Sequence, residues 1–371
     1  MTDGPRRRLL VLTPDFPPAF GGIQLLVSRL VESFEQFEVR IVALDKPGAE
    51  SVDRALDLEV VRTPRSSIPK ASNLLLNAWA VRDAIRFRPD VVLGAHIIVA
   101  PAAALIQRVA GAPFVQYLHG HEVAARPRLA RFAVKSAAAS IAVSSYTARL
   151  ATDIGADGAR VHRIPPGVDL PSSRRAERDE RPTVLTLARL TARYKGHDVM
   201  IQALRRIKAS VPEVAWVVVG DGPLRDELAE LAREQGVADS TLFAGSLADA
   251  ERDAWLDRAH VFAMPSRLPP GGKGGEGFGI VYLEAGAHSL PVVAGNVAGA
   301  LDAVVDGKTG LLVDPTDPSA VADAVSDLLL DRRKAEALGR AGAARARDFT
   351  WPKTAARVED LLIRTLHARE T

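Results

Sequence analysis

The densest chemistry in the sequence lies at Glu276-Gly277-Phe278-Gly279-Ile280, where a glycine-rich run, residues 271–279, opens onto an apolar helical pattern. A helix start presents free backbone N–H groups and the positive end of the helix dipole, so this turn predicts an anion site, above all for phosphate. Glu276 stands at its mouth and Glu284 about two turns further in. Glu284 lies between Leu283 and Ala285 in a helix that should pack on a sheet. A carboxylate there requires a partner, either a ligand hydroxyl or a structural salt bridge. Upstream, Arg189 ends an apolar strand pattern and Lys195-Gly196 opens the next helix. An arginine fork and a lysine point charge in those places can converge on one diphosphate.

Two more loops carry polar groups at strand ends. The turn 14–23 contains Pro14, Pro17, Pro18 and the pair Gly21-Gly22, so helix cannot begin early and backbone amides can approach an anion at the start of the next helix. The strand pattern 114–118 ends in His119-Gly120-His121-Glu122, which suits recognition of substrate hydroxyls. Zinc is disfavoured: H-E-x-x-H spacing is missing, and His119 and His121 would point oppositely in an extended segment. A dinucleotide dehydrogenase is disfavoured because the first turn lacks G-x-G-x-x-G. Gly272-Lys273 is followed by Gly274, which breaks the P-loop pattern. Nor is there a D-x-D pair to chelate a divalent metal, so Arg189, Lys195 and backbone dipoles would have to neutralise a diphosphate. No metal site and no cofactor are expected.

These loops need a scaffold with strands ending at one edge. Apolar runs at 9–13, 39–43, 58–62, 90–94, 114–118 and 140–143 alternate with helical patterns such as 23–34, 73–86 and 128–138. The alternation restarts after a polar, charge-rich linker at 172–182. There the strand patterns are 184–187, 215–219, 241–244, 261–264, 291–294 and 310–313, and the helical ones are 198–209, 224–235 and 280–287, with helices dominating from 318 onward. Uniformly apolar strands between helices predict an α/β protein of two Rossmann-like domains, each a parallel sheet covered on both faces, with the ligand in a cleft between them. The expected boundaries are 1–171, 172–349 and a last helix at 350–371 that returns to the first domain.

The chain has 371 residues, 47% hydrophobic and 25% charged, which suits two globular domains and argues against disorder. It has no cysteine, so disulfides, thiolate zinc sites and cysteine nucleophiles are excluded. A net charge of +3 is too small to predict nucleic-acid binding. Up to Pro171 there are 21 basic and 16 acidic residues, and beyond it 27 and 29. The basic excess of the first half fits an acidic substrate or an anionic membrane, and equally an arginine-rich surface. Residues 9–12 are too short for a signal-peptide core, and 91–107 read as a buried strand plus helix start, so a cytoplasmic location is expected.

Taken together, the loops resemble those of retaining glycosyltransferases of GT-B fold, in the family-four group that includes bacterial mannosyltransferases. The matching residues are Gly21-Gly22-Ile23-Gln24, His119-Gly120-His121-Glu122, Arg189 with Lys195-Gly196, residues 219–224, the E-x7-E pair Glu276 and Glu284, and the segments 165–169 and 306–311. The likeness spans nearly the whole chain. It implies a nucleotide-sugar donor held mainly by the second domain and an acceptor held mainly by the first. On that basis Arg189 and Lys195 hold the diphosphate with amides of Gly22, Phe278, Gly279 and Ile280, and Gly21 and Gly277 also border the nucleotide sugar. Glu284 takes the ribose, Glu276 the sugar hydroxyls, and His119 lies beside the reacting carbon, so that His119, Glu276, Arg189 and Lys195 form the catalytic set. Ser266 and Arg267 fall near the base and ribose.

The likeness further implies metal-independent, front-face transfer with retention. The glycine-rich insert and the His-Gly-His-Glu run are most similar to enzymes that mannosylate phosphatidylinositol-type lipids with GDP-mannose. A glycan or lipid acceptor and peripheral contact with an anionic membrane through Arg126, Arg128, Arg131 and Lys135 are the corresponding expectations, a solvated helix face being the alternative for those charges. Two segments depart from the common pattern: Pro165-Pro166-Gly167 replaces Pro-Asn-Gly, and Ala300-Leu301-Asp302 replaces a segment with the usual glutamate. A UDP-sugar donor, a nucleotide-sugar 2-epimerase and a non-catalytic nucleotide-sugar-binding protein remain the alternatives.

Overall fold

Strands that read as unbroken apolar runs are buried on both faces. Seven of them form one parallel sheet: β1 (Arg7–Thr13), β2 (Phe37–Leu44), β3 (Glu59–Thr63), β4 (Val91–Gly94), β5 (Phe114–Leu118), β6 (Ala139–Ala142) and β7 (Val161–Arg163), in the order β3-β2-β1-β4-β5-β6-β7. Six form a second: β8 (Thr183–Leu187), β9 (Ala215–Val219), β10 (Thr241–Gly245), β11 (Val261–Met264), β12 (Val292–Gly295) and β13 (Gly310–Val313), in the order β10-β9-β8-β11-β12-β13. The computed structural model describes residues 6–19, 21–56, 58–171 and 177–370. All the strand pairings within each sheet are parallel. The chain divides into two units, Met1–Gly167 with Trp351–Thr371, and Val168–Thr350.

In both sheets the order reverses beside the first strand, between β1 and β4 and between β8 and β11. Loops that leave the carboxyl ends of these strands are therefore splayed apart, and polar side chains gather there. The platform beneath is rigid. In the second unit Trp216 on β9 is fully buried, and its indole N–H donates to Thr186 Oγ1 at 2.9 Å, whose hydroxyl donates to Ala263 O at 2.5 Å, so one hydrogen-bonded chain crosses β9, β8 and β11. In the first unit the last helix, Trp351–Glu370, packs beside the helix Gly22–Glu32. Its buried Glu359 accepts the backbone N–H groups of Glu35 and Gln36 at 2.9 and 2.7 Å.

Several elements differ from expectation. The seventh strand, β7, is only three residues long and half exposed, too short to carry a periodic signal. The helices Ala49–Ala55, Ser145–Asp153 and Asp249–Arg258 also went unpredicted; the last is strongly charged with one buried residue, Leu256. Of the expected linker, 172–176 lie outside the described residues. Its remainder is fastened to the second unit by the Arg258–Asp179 ion pair at 2.7 Å and by Arg181 Nε donating to Glu213 O at 2.7 Å.

Candidate functional site

In the second unit, Arg189 follows β8 in a loop laced to the loop after β9. Ala188 N donates to Val219 O, Leu190 N to Asp221 O and Leu224 N to Leu190 O, at 2.9 to 3.0 Å. The backbones are so close that a Cβ on Gly220 would lie 2.1 Å from Ala188 O, and one on Gly222 2.5 Å from Leu190 O. The Gly-Asp-Gly run is thus a packing requirement of the loop that carries Arg189. Arg189 itself is exposed, and among the described residues it has no ion-pair partner.

Lys195 ends a short 3-10 turn, Arg193–Lys195, ahead of Gly196, whose Cβ would fall 2.2 Å from Pro265 O just beyond β11. Its ammonium meets Glu276 Oε2 at 2.5 Å, with the two side chains 19% and 17% exposed. Burial works against the Lys195 charge, yet the Glu276 carboxylate, with Tyr194, lifts its pKa above the ordinary value. The structure therefore brings together two predicted residues that lie 81 positions apart. Arg267 is differently engaged: its guanidinium grips Asp198 at 2.9 and 2.7 Å, and its backbone N–H donates to Tyr194 O at 2.8 Å. Burial raises the Asp198 pKa, but the hydrogen bonds and charge of Arg267 outweigh it and hold the carboxyl below its usual range. Ser266 is buried beside them.

The helix Ile280–Ala287 starts at Gly279, whose left-handed backbone, φ 91°, turns the chain directly into the first helical residue, and no side chain caps it. Its first turn is braced by Tyr282, whose hydroxyl donates to Met264 O at 2.8 Å. Gly277 and Phe278 lie against Gly299, where an added Cβ would be 2.2 Å from Gly277 O. Glu284, half-buried, has neither a hydrogen bond nor an ion pair to its carboxylate among the described residues. Burial raises its pKa against the pull of Arg252, while Asp253, Asp169 and Asp249 push the same way as burial. Of the two partners its sequence position allowed, the salt bridge is not formed.

The first unit gathers a second polar cluster at the carboxyl ends of β1, β4 and β5. Asp15 is held by Thr13, whose Oγ1 accepts the Asp15 N–H at 3.0 Å, and by Gln24 Nε2, which donates to its carboxylate at 2.9 Å. Phe20 in this turn lies outside the described residues. Gly21 precedes the helix Gly22–Glu32, and among the described residues no side chain caps it and nothing lies within 4 Å of a Cβ on Gly22. His119 follows β5, stacked on Tyr117 with ring centres 5.2 Å apart. Its Nε2 lies 2.7 Å from Ala95 O; a carbonyl only accepts, so this nitrogen carries the hydrogen and Nδ1 is the acceptor of the neutral ring. Glu122 Oε1 accepts the His119 backbone N–H at 2.6 Å.

The segment after β5 is not extended, contrary to expectation. The chain turns at Gly120, φ 110°, and His121 opens the short helix His121–Ala125, which brings Glu122 back under His119. Two buried histidines escaped notice as site residues. His96, two residues past β4, accepts the Ile98 N–H on Nδ1 at 3.1 Å, and burial lowers its pKa against the charge of Glu122. His197 follows Gly196; both its nitrogens are buried without partners among the described residues, and burial, with Lys195, pushes its pKa down to about 4. A polar residue just past an apolar strand was the available signal for His96. On the helix Pro127–Ser136, Arg128, Arg131 and Lys135 are exposed without ion pairs among the described residues, beside Phe132 at 43% exposure. No described helix is long and apolar enough to cross a membrane.

With this geometry, comparison with known proteins is informative. Residues 172–345 match the family described as glycosyl transferases group 1, and residues 20–171 that described as glycosyltransferase family 4. The chain is 37% identical to the GDP-mannose-dependent alpha-(1-6)-phosphatidylinositol monomannoside mannosyltransferase of Mycolicibacterium smegmatis, over 98% of this chain and 100% of that one. It is 39% identical to the protein of the same description from Mycobacterium tuberculosis, over 96% and 98%. Among solved structures, Anabaena HepE in complex with UDP superimposes with a TM-score of 0.80 at 21% identity, covering 96% of this chain and 99% of that one.

Proposed function

The chain belongs to the GT-B glycosyltransferases, pairing a family-four first half with a group-1 second half, and from that premise we propose that it moves mannose from GDP-mannose to a phosphatidylinositol-type glycolipid. The observation that carries the reading is the Lys195–Glu276 pair beside Arg189 and an uncapped helix start, a set built for a diphosphate joined to a sugar. The names of the full-length mannosyltransferase relatives support mannose and the lipid acceptor.

Arg189 and Lys195 receive the diphosphate, with the amides of Gly277, Phe278, Gly279 and Ile280 at the helix start. The amides of Gly21 and Gly22 offer further donors to a nucleotide sugar; among the described residues nothing packs where a Cβ on Gly22 would stand. Glu276 takes hydroxyls of the transferred sugar while holding the Lys195 ammonium in place. Glu284, without a protein hydrogen bond, takes the ribose hydroxyls. Ser266 and Arg267 wall the base and ribose, Arg267 kept rigid by Asp198. His119 faces the sugar near its reacting carbon.

In the reaction, the bond from the anomeric carbon to the phosphate oxygen breaks and its electron pair stays on the diphosphate. The acceptor oxygen bonds to that carbon from the same face, giving retention, and its proton passes to the departing phosphate oxygen. Charge grows on the diphosphate as the bond breaks, so fixed cations and amides aimed at it stabilise the transition state more than the ground state. No metal is needed for that neutralisation. The exposed Arg128, Arg131 and Lys135 with Phe132 support contact with an anionic membrane surface, where a glycolipid acceptor resides.

The test is transfer from GDP-, UDP- and ADP-sugars to a phosphatidylinositol mannoside in chelator, with the anomeric configuration of the product read by NMR. An α-linked mannoside formed from GDP-mannose alone is expected. Epimerised donor without acceptor, inverted product, or strict metal dependence would each overturn the corresponding part.

A further inference from the structure

Glu122 is a buried acid that the proposed chemistry leaves unused. It is 6% exposed, one oxygen holds the His119 backbone N–H at 2.6 Å, and the other is shut away from solvent with no hydrogen-bond partner among the described residues. An acid buried at the expense of desolvation needs a use for the bond it makes. Its surroundings supply that use. His119 is pinned at both ends, its backbone by Glu122 and its ring by Ala95 O, which leaves Nδ1 as the ring's outward acceptor. His96 is pinned in the opposite tautomer by the Ile98 N–H, so its free nitrogen is the donor Nε2. The charged and titratable groups facing His96 are Glu122, His119, Asp15 and Arg126.

We propose that Glu122 is the positioning residue of the first unit: it fixes the loop that aims the His119 ring as a hydroxyl acceptor. This rests on the reading that His119 faces the sugar. An imidazole displaced by about 1 Å from its productive place costs on the order of 100-fold in turnover. Glutamine keeps an oxygen for the His119 N–H and removes the charge; alanine removes both.

The experiment compares Glu122→Ala, Glu122→Gln and His119→Ala by steady-state transfer kinetics and thermal melting. Glu122→Ala is expected to lower kcat at least ~10-fold with KM for GDP-mannose within about twofold, and Glu122→Gln to recover kcat to within ~3-fold. A purely structural role would lower the melting temperature without the split between kcat and KM and without rescue by glutamine. Wild-type kcat in Glu122→Ala overturns the proposal, as does a folded Glu122→Gln whose kcat falls about 10-fold or more, which remains readable even where alanine prevents folding. Loss of transfer in His119→Ala with none in Glu122→Ala sinks this proposal alone; full transfer in His119→Ala sinks the reading of His119 as well.

Discussion

The polar clusters of the two units are organised differently. In the second unit the glycines are dictated by contact, Gly220 against Ala188, Gly222 against Leu190 and Gly196 against Pro265, and most charges arrive already paired, Lys195 with Glu276 and Arg267 with Asp198. In the first unit Gly22 borders open space, Glu122 keeps an orphan oxygen, and the histidines are held by backbone atoms rather than by countercharge. On the proposed function, the contrast separates a set preorganised around the donor's diphosphate from a set whose polar groups await the ligand. Preorganised charge costs nothing to rearrange at the moment of reaction, whereas open polar groups are completed by the ligand.

The largest test of this difference is on turnover. Lys195→Ala and Glu276→Ala are each expected to reduce mannose transfer by about 10²-fold or more, with melting temperatures close to that of the parent. Because the two side chains form one pair, the double variant should lose little more than either single one. Additive losses, measured as kcat/KM, would show two independent groups and break the comparison. The charge of Lys195 also has a stability consequence. A raised folded pKa favours the folded state fully below the unfolded value of about 10.4, and that contribution is lost only as pH rises past the folded one. Activity loss on mild alkalinisation to pH 9 would thus not be traceable to this pair.

Glycine substitutions sharpen the same contrast through stability. In Gly220→Ala the new Cβ meets backbone and the residue's φ of 137° suits only glycine, so unfolding free energy should fall by about 2 kcal/mol or more in denaturant titrations. In Gly22→Ala the methyl meets nothing, and stability should stay within about 0.5 kcal/mol while affinity for GDP-mannose drops. Equal destabilisation by both would erase the distinction between a packed and an open glycine.

Acid should act on the second unit through His197. A ring whose folded pKa is near 4 and whose unfolded value is near 6.5 stabilises the neutral-pH fold fully above 6.5 and loses that contribution as pH falls toward 4. Melting temperature in His197→Gln should therefore fall less steeply between pH 6.5 and 4.5 than in the parent. Parallel curves would show that the buried ring is not what acid attacks.

The alternation of elements was legible because parallel strands covered on both faces leave apolar runs, as in β5 and β8, where every residue is buried. Short or polar elements hid for the opposite reason. Strand β7 spans only three residues, and the helix Asp249–Arg258 buries only Leu256, so no periodic pattern marked either. At the site, glycine turns and their basic neighbours stood out locally. The pairing of Lys195 with Glu276 did not, since it depends on two loops brought together by β8 and β11 being neighbours. His96 read as an incidental polar residue in an apolar run, and Glu122 as one of a polar cluster for substrate hydroxyls; its place under His119 depends on the turn at Gly120.

The smallest expected effect concerns the helix Pro127–Ser136 and separates membrane contact from chemistry. Arg128, Arg131 and Lys135 are exposed, without ion pairs among the described residues, and near the half-exposed Phe132, so each is free to meet an anionic surface at about 1 kcal/mol apiece. Arg131→Ala should weaken partition onto phosphatidylinositol vesicles by about fivefold, and less as salt is raised, because surface charges are screened beyond about 10 Å. Transfer to a short-chain, water-soluble acceptor should be unchanged, since none of these side chains belongs to the donor set. Equal partition by the variant and the parent at low salt would return these charges to the role of a solvated face. A matching fall in turnover on the soluble acceptor would instead move this helix into the site.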